Sequence, residues 1–234
     1  MLSVQNLKAG YIRGASVLKG LSLELTRGDC IALMGRNGMG KTTFVKSLMG
    51  VLPQISGSIK FLDKEIVGLT SYDISNKGIA YVPQGREIFS DFTVEENLKM
   101  GQIGKPKQRN QPFDFIYNYF PILAERQNQL GGTMSGGQQQ QLAIARALVG
   151  RPELLLLDEP SEGIQPSIVQ ELAVILRRIA EQEKMTVIVV EQNLNLVRLL
   201  ANQVCFIENG LITKSLSVEE INKDPVIIRR YLSV

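Results

Sequence analysis

The chain has no histidine, only two cysteines and no long apolar run among its 234 residues. Without histidine there is no imidazole to change charge near neutral pH. Cys30 and Cys205 each sit inside an apolar, strand-like run, which points to buried reduced thiols and a cytosolic compartment. The longest apolar stretches, at 154–157 and 185–190, fall far short of the roughly 18–20 residues that a spanning helix needs. The opening MLSVQNLKAGY has no basic region followed by an apolar core, so no signal peptide is expected. Charge of one sign is equally scarce. There are 26 basic and 23 acidic residues, a net charge of +3, and no run of five or more like charges. A nucleic-acid partner, which asks for a concentrated basic patch, is not expected.

What is present describes an ordinary globular chain. Hydrophobic residues make up 44% and charged residues 21%, enough apolar material for one large domain or a core with an inserted subdomain. Short β-branched runs alternate with helical periodicities, the pattern of an α/β fold. The spacing predicts a strand at 17–25 ending in the turn Arg27-Gly28-Asp29. A short buried strand follows at 30–34, then a helix at 41–50. Runs at 79–82, 154–157 and 187–190 read as fully buried parallel strands. Between the last two, Ile168, Leu172, Ile175, Leu176 and Ile179 recur at helical spacing, predicting an amphipathic helix at 166–183. From about 88 to 149 strands give way to helical stretches with a polar loop at 104–111, so a helical subdomain is expected within a core of 1–87 and 150–234. The short apolar run 115–120 could be core of that subdomain or a contact for a partner.

Three motifs carry chemistry. Gly35-Arg36-Asn37-Gly38-Met39-Gly40-Lys41-Thr42 fits G-x-x-x-x-G-K-[ST] between a buried strand and a helix. Its glycines let backbone N–H groups cradle phosphate oxygens, and the helix start adds its positive dipole end. Lys41 would reach the β- and γ-phosphates and Thr42 would offer its hydroxyl to Mg²⁺. Thr43 continues the cradle. Second, Leu154-Leu155-Leu156-Leu157-Asp158-Glu159 is an apolar strand delivering two carboxylates. Asp158 suits the position that holds Mg²⁺ through water, and Glu159 can act as general base on an attacking water. Third, Ser135-Gly136-Gly137-Gln138 opens a helical run over 139–149, a second anion-binding helix start.

Two phosphate-binding helix starts suit two chains arranged head to tail. At this point the sequence resembles the ATP-binding cassette (ABC) ATPases, whose signature SGGQ in one subunit closes over the nucleotide held by the other. The resemblance implies a P-loop NTPase core with a mostly parallel sheet, an N-terminal antiparallel β region and an inserted α-helical subdomain. It also implies ATP and Mg²⁺ as ligands. Gln84, in Val82-Pro83-Gln84-Gly85, matches the glutamine loop that contacts Mg²⁺ and water and couples to the membrane partner. Tyr11 matches the aromatic residue that stacks on adenine, or is a surface tyrosine. Ser161 to Gln165 match the loop that crosses the dimer interface, with Gln165 where aspartate is common. Gln192 stands where the family usually has its switch histidine; glutamine can donate a hydrogen bond to the γ-phosphate but carries no titrating charge.

Among the roles open to such ATPases, translation factors usually carry two cassettes in one chain, and repair ATPases split the cassette with a long coiled coil. This chain has one cassette and no sustained heptads between Gly40 and Ser135, which leaves the motor subunit of a membrane transporter. Tyr81 to Phe89 (YVPQGREIF), Thr93 to Leu98, Gly132 to Leu148, Asp158 to Ser167 and Val190-Glu191-Gln192-Asn193 resemble the importer group for branched-chain amino acids, urea and short amides. The ending near Arg229 to Leu232 fits that group's shorter ATPase subunit, and 138–141 with 162–167 lean toward the urea type. The resemblance implies transmembrane permease subunits, a second ABC ATPase chain, and a substrate-binding protein reached indirectly. It implies a peripheral position on the cytoplasmic face of the membrane, with 86–89 as a contact surface.

Overall fold

The computed structural model describes residues 1–105, 108 and 111–223. The N-terminal strands are β1 (Leu2–Gly10), β2 (Leu18–Leu25) and β3 (Cys30–Met34). Helix α1 (Lys41–Leu48), strands β4 (Gln54–Phe61) and β5 (Lys64–Glu65), helix α2 (Ser71–Asn76) and β6 (Ile79–Val82) follow. A helical stretch holds α3 (Val94–Met100), α4 (Asp114–Tyr119), α5 (Pro121–Glu125) and α6 (Gly136–Leu148). The chain then alternates through β7 (Leu154–Asp158), α7 (Pro166–Glu183), β8 (Thr186–Val190) and α8 (Leu194–Leu200), and closes with β9 (Gln203–Glu208), β10 (Leu211–Ser217) and α9 (Val218–Lys223). The expected strands at 79–82 and 154–157 and the helix at 166–183 fall where the periodicity put them.

Two sheets form. One is antiparallel, in the order β2-β1-β4-β5; the other runs β10-β9-β3-β8-β7-β6, parallel except for β10. Strands β3, β7 and β8 are buried at every position and feed two cores by the two-residue alternation of a strand. Cys30, Ala32, Met34, Leu155, Leu157, Val187 and Val189 face helices α6, α7 and α8. Ile31, Leu33, Leu154, Leu156, Ile188 and Val190 face α1 and the antiparallel sheet. Ile116, Tyr119 and Phe120 are buried in the first core, together with Leu98, Leu123 and Leu142, so the run 115–120 is core. Both cysteines are buried free thiols. Of the loop 104–111, only Gly104, Lys105, Gln108 and Gln111 belong to the described residues, and the compact ending near 229–232 lies outside them.

Candidate active site

The parallel strands end on one edge of the sheet, and each end delivers polar residues there. This is the crevice at which open α/β sheets bind ligands. After β3 the chain turns through Gly38 (φ 79°) and Gly40 (φ 107°) into α1. A Cβ on Gly40 would lie 2.9 Å from Leu18 Cδ2, so packing as well as backbone conformation asks for glycine. Lys41 is buried, and its ammonium donates to Gly35 O at 2.8 Å and Arg36 O at 3.0 Å. Burial pushes its pKa down, opposed by the carboxyl groups of Glu159 and Asp158. The loop is anchored from behind, where Gly210 N–H donates to Met39 O at 3.0 Å.

At the end of β7, Asp158 is only 2% exposed. Its two oxygens accept from Thr42 Oγ1 at 3.1 Å and from Tyr81 OH at 3.3 Å. Burial raises the Asp158 pKa, and those two hydrogen bonds pull against it. The Tyr81 phenol is pushed up by burial first and by Asp158 second, so it remains a donor. A hydroxyl beside a buried carboxyl is a hard oxygen donor pair. It suits Mg²⁺, which draws one or two protein oxygens and completes its shell from phosphates and water. Among the described residues, no group of three or more His, Cys, Asp or Glu could hold a metal by itself.

Glu159 follows in the left-handed region, φ 49°, with its N–H donating to Val190 O at 2.9 Å. Two glutamine amides flank its carboxyl group: Gln84 Nε2 at 3.4 Å from Oε2 and Gln192 Nε2 at 3.3 Å from Oε1. Gln192 also donates to Asn37 Oδ1 at 2.9 Å, and Gln84 to Glu162 Oε2 at 3.0 Å. Tyr11, Lys41, Thr42, Gln84 and Glu159 therefore line one cleft of about 450 Å³. Tyr11 is half exposed at its rim, with Lys46 Nζ 5.9 Å from the ring centre. Gln84, expected beside the metal, has its amide on Glu159 and Glu162, while Thr42 and Asp158 meet directly.

Ser135, Gly136, Gly137 and Gln138 do not line that cleft. They begin α6, one turn earlier than the helical run at 139–149 suggested. Ser135 Oγ accepts from Gln138 N–H at 3.4 Å and Gln138 Oε1 accepts from Ser135 N–H at 3.0 Å, a capping box. A Cβ on Gly137 would come 2.8 Å from Ile168 Cγ2, so α6 and α7 approach at that glycine.

Tyr81, Glu162 and Glu191 gain site roles that their place in the sequence did not suggest. Glu191 is 2% exposed, and its side chain accepts from the N–H groups of Ser161 (3.0 Å), Gln192 (2.6 Å) and Asn193 (2.7 Å). It thereby joins the loop after Glu159 to the loop carrying Gln192. The signal was available, since Val190-Glu191 repeats the apolar-strand-to-acid pattern of Leu157-Asp158. Tyr81 and Glu162 depend on pairings across the sheet edge that spacing does not reveal.

Residues 18–162, more than half of the chain, match the sequence profile of a family described as ABC transporter. The chain belongs to the ABC transporter family. The cassette is 42% identical over 233 residues to the high-affinity branched-chain amino acid transport ATP-binding protein BraG of Pseudomonas aeruginosa, covering 99% of each chain. It is 32% identical to the probable branched-chain amino acid transport ATP-binding protein LivF of Archaeoglobus fulgidus, covering 95% of this chain and 97% of that one. The crystal structure of an ATP-binding cassette of an ABC transporter in its ADP conformation superposes with a TM-score of 0.84 at 23% identity, covering 99% and 98%. That likeness speaks to the fold alone. The cassette is thus an ATP-hydrolysing enzyme of this family on a P-loop α/β core.

Proposed function

We propose that this cassette is the ATP-hydrolysing subunit of an importer for branched-chain amino acids. The observation that carries the reading is the 42% identity to BraG, which runs the whole length of both chains. The BraG and LivF relatives are branched-chain amino acid systems, so the lean of 138–141 and 162–167 toward the urea type gains no support from them. Cargo contacts belong to other subunits, namely permease subunits in the membrane and, indirectly, a substrate-binding protein. The cassette would sit on the cytoplasmic face, peripheral to the permease. None of its helices among the described residues is long and apolar enough to cross a membrane.

In this reading ATP binds the cleft at Gly35 to Thr43, with Lys41 on the β- and γ-phosphates and adenine against Tyr11. Thr42 and Asp158 would hold Mg²⁺, with Gln84 near it. Bound there, the ion supplies positive charge that offsets the charge developing on the phosphate oxygens. The chain's own part is to orient and deprotonate a water. Glu159 accepts the proton as water attacks the γ-phosphorus and the bond to ADP breaks, while Gln84 and Gln192 hold the Glu159 carboxyl in place. Gln192 can also donate to the γ-phosphate. Ser135 to Gln138 would close over the nucleotide of a second cassette, a sister ATPase chain, and their placement outside their own cleft supports that division.

The test is transport by the complex purified from native membranes through a tag on this chain and reconstituted into vesicles. ATP-driven uptake of leucine, isoleucine or valine is expected, abolished by Glu159→Gln. Uptake of urea with no branched-chain amino acid uptake would replace this cargo assignment. Failure of any permease to co-purify would favour a non-transport role of the translation or DNA-repair kind.

A further inference from the structure

The segment leaving Gln84 is held in an unusual backbone. Arg86 (φ 72°) and Glu87 (φ 49°) are consecutive non-glycine residues in the left-handed region, a conformation that persists only where surrounding contacts over-determine it. Those contacts come from α6 and from the loop after Glu159. Arg86 donates from NH1 to Gln139 Oε1 at 3.2 Å, and from NH2 to Glu162 O at 3.4 Å and Gly163 O at 3.5 Å. The guanidinium rests on Gly136, where an added Cβ would lie 3.1 Å from NH2 and 3.2 Å from NH1. At the far end of α6, Arg146 donates to Glu87 O at 2.7 Å and stacks its guanidinium 5.1 Å from the centre of the Phe89 ring. The segment 86–89 is thus strapped along α6 at both ends.

Helix stability does not explain this arrangement. A cation over the first turn of α6 faces the positive end of the helix dipole, the end that favours anions. Ser135 and Gln138 already satisfy the cap by themselves. What Arg86 gains is three acceptors on two different elements, matched to its planar fork. The elements it ties are the strand exit carrying Gln84, the helix start carrying Ser135, and the loop that begins at Glu159.

We propose that Arg86 is a positioning residue for ATP hydrolysis: it holds Gln84, the Ser135 end of α6 and the 159–163 loop in one register. One guanidinium then sets both halves of the chain's contribution, the water-orienting groups of its own cleft and the signature turn offered to the second cassette. The proposal rests on the site reading above, with Glu159 as the base.

The experiment compares Arg86→Ala, Arg86→Lys, Gln139→Ala, the double variant Arg86→Ala/Gln139→Ala and Glu159→Gln. ATPase is measured on the complex purified from native membranes. Binding of a fluorescent (methylanthraniloyl) ATP and thermal unfolding are measured on the chain itself. For Arg86→Ala, kcat is expected to fall about tenfold, with KM for ATP and the nucleotide Kd within about twofold of wild type. Arg86→Lys does not restore the rate, because an ammonium cannot span the same acceptors. The double variant is no slower than Arg86→Ala alone, since both changes remove one linkage. If kcat stays within about twofold of wild type while Glu159→Gln is inactive, the inference on Arg86 falls and the site reading stands. Full activity in Arg86→Lys, or a Kd that worsens in step with kcat and with lost thermal stability, likewise overturns it in favour of a charge or folding role. An active Glu159→Gln instead removes the site reading on which it rests.

Discussion

The side-chain amide of Gln192 donates to Asn37 Oδ1 at 2.9 Å, so the second residue after β8 reaches the phosphate loop without an imidazole. The same amide lies 3.3 Å from Glu159 Oε1. Since the chain has no histidine, its hydrolysis rate at saturating ATP and Mg²⁺ is expected to show no inflection at about pH 6.5 from an enzyme imidazole. Replacing Gln192 with histidine should keep most of the activity and introduce one. A wild-type profile that already bends there, once the titrations of ATP and Mg²⁺ are subtracted, would contradict this role.

In the mechanism proposed above, Glu159 is the group on which turnover depends most. Glu159→Gln keeps the size of the side chain but removes the acceptor for the water's proton. A loss of kcat by about 10²- to 10⁴-fold is expected, with nucleotide affinity retained and the ATP-bound dimer accumulating. Single-turnover hydrolysis beside size-exclusion chromatography in Mg-ATP reads both. Wild-type rates in this variant would move the base elsewhere.

Gly210 holds the phosphate loop from outside the cleft. It has φ 78°, and a Cβ there would sit 1.9 Å from Val17 O. Its own carbonyl accepts from Lys19 N–H at 3.1 Å, while its N–H bonds to Met39 O. Gly210→Ala should cost about 3 kcal/mol of stability by urea unfolding, from backbone clash and positive φ together. A change below about half a kcal/mol would mean that the turn shifts freely and does not brace the loop.

The Cys30 thiol is pushed up by burial from 9.0 to about 11. The native chain therefore keeps a proton that the unfolded chain releases in this interval, so stability falls as pH rises from about 9 toward 11. At pH 8 both thiols should resist iodoacetamide in the folded chain and react once it is unfolded, read by mass spectrometry. Rapid labelling of the native protein would show that the interior opens more than the packing implies.

The parts of this molecule that follow from local chemistry were legible in the sequence. The glycine spacing around Lys41, the apolar strand before Asp158 and the helical repeat from Ile168 to Ile179 each appear where expected. The antiparallel sheet was anticipated as a region, yet β1 and β4 could not be placed. In β1 a bulge at Asn6 (φ 48°) breaks the alternation, so that both Val4 and Leu7 turn inward. Opposite it, β4 carries Gly57 at φ 100°, where a Cβ would come 2.5 Å from Asn6 O. Glycine in a strand reads as a breaker, and only the pairing explains it. The role of Tyr81 has a related cause, because its partner Asp158 stands at the end of the neighbouring strand β7 and only the sheet pairing brings the two together.

The position of Ser135 to Gln138 outside their own chain's cleft also has a genetic consequence. If each nucleotide is shared between two chains, a copy disabled at Glu159 but still able to bind ATP does not merely drop out. It takes a seat in the assembly and silences a healthy neighbour. An allele encoding Glu159→Gln is then dominant over the wild-type gene in the same cell, whereas an early stop codon is recessive.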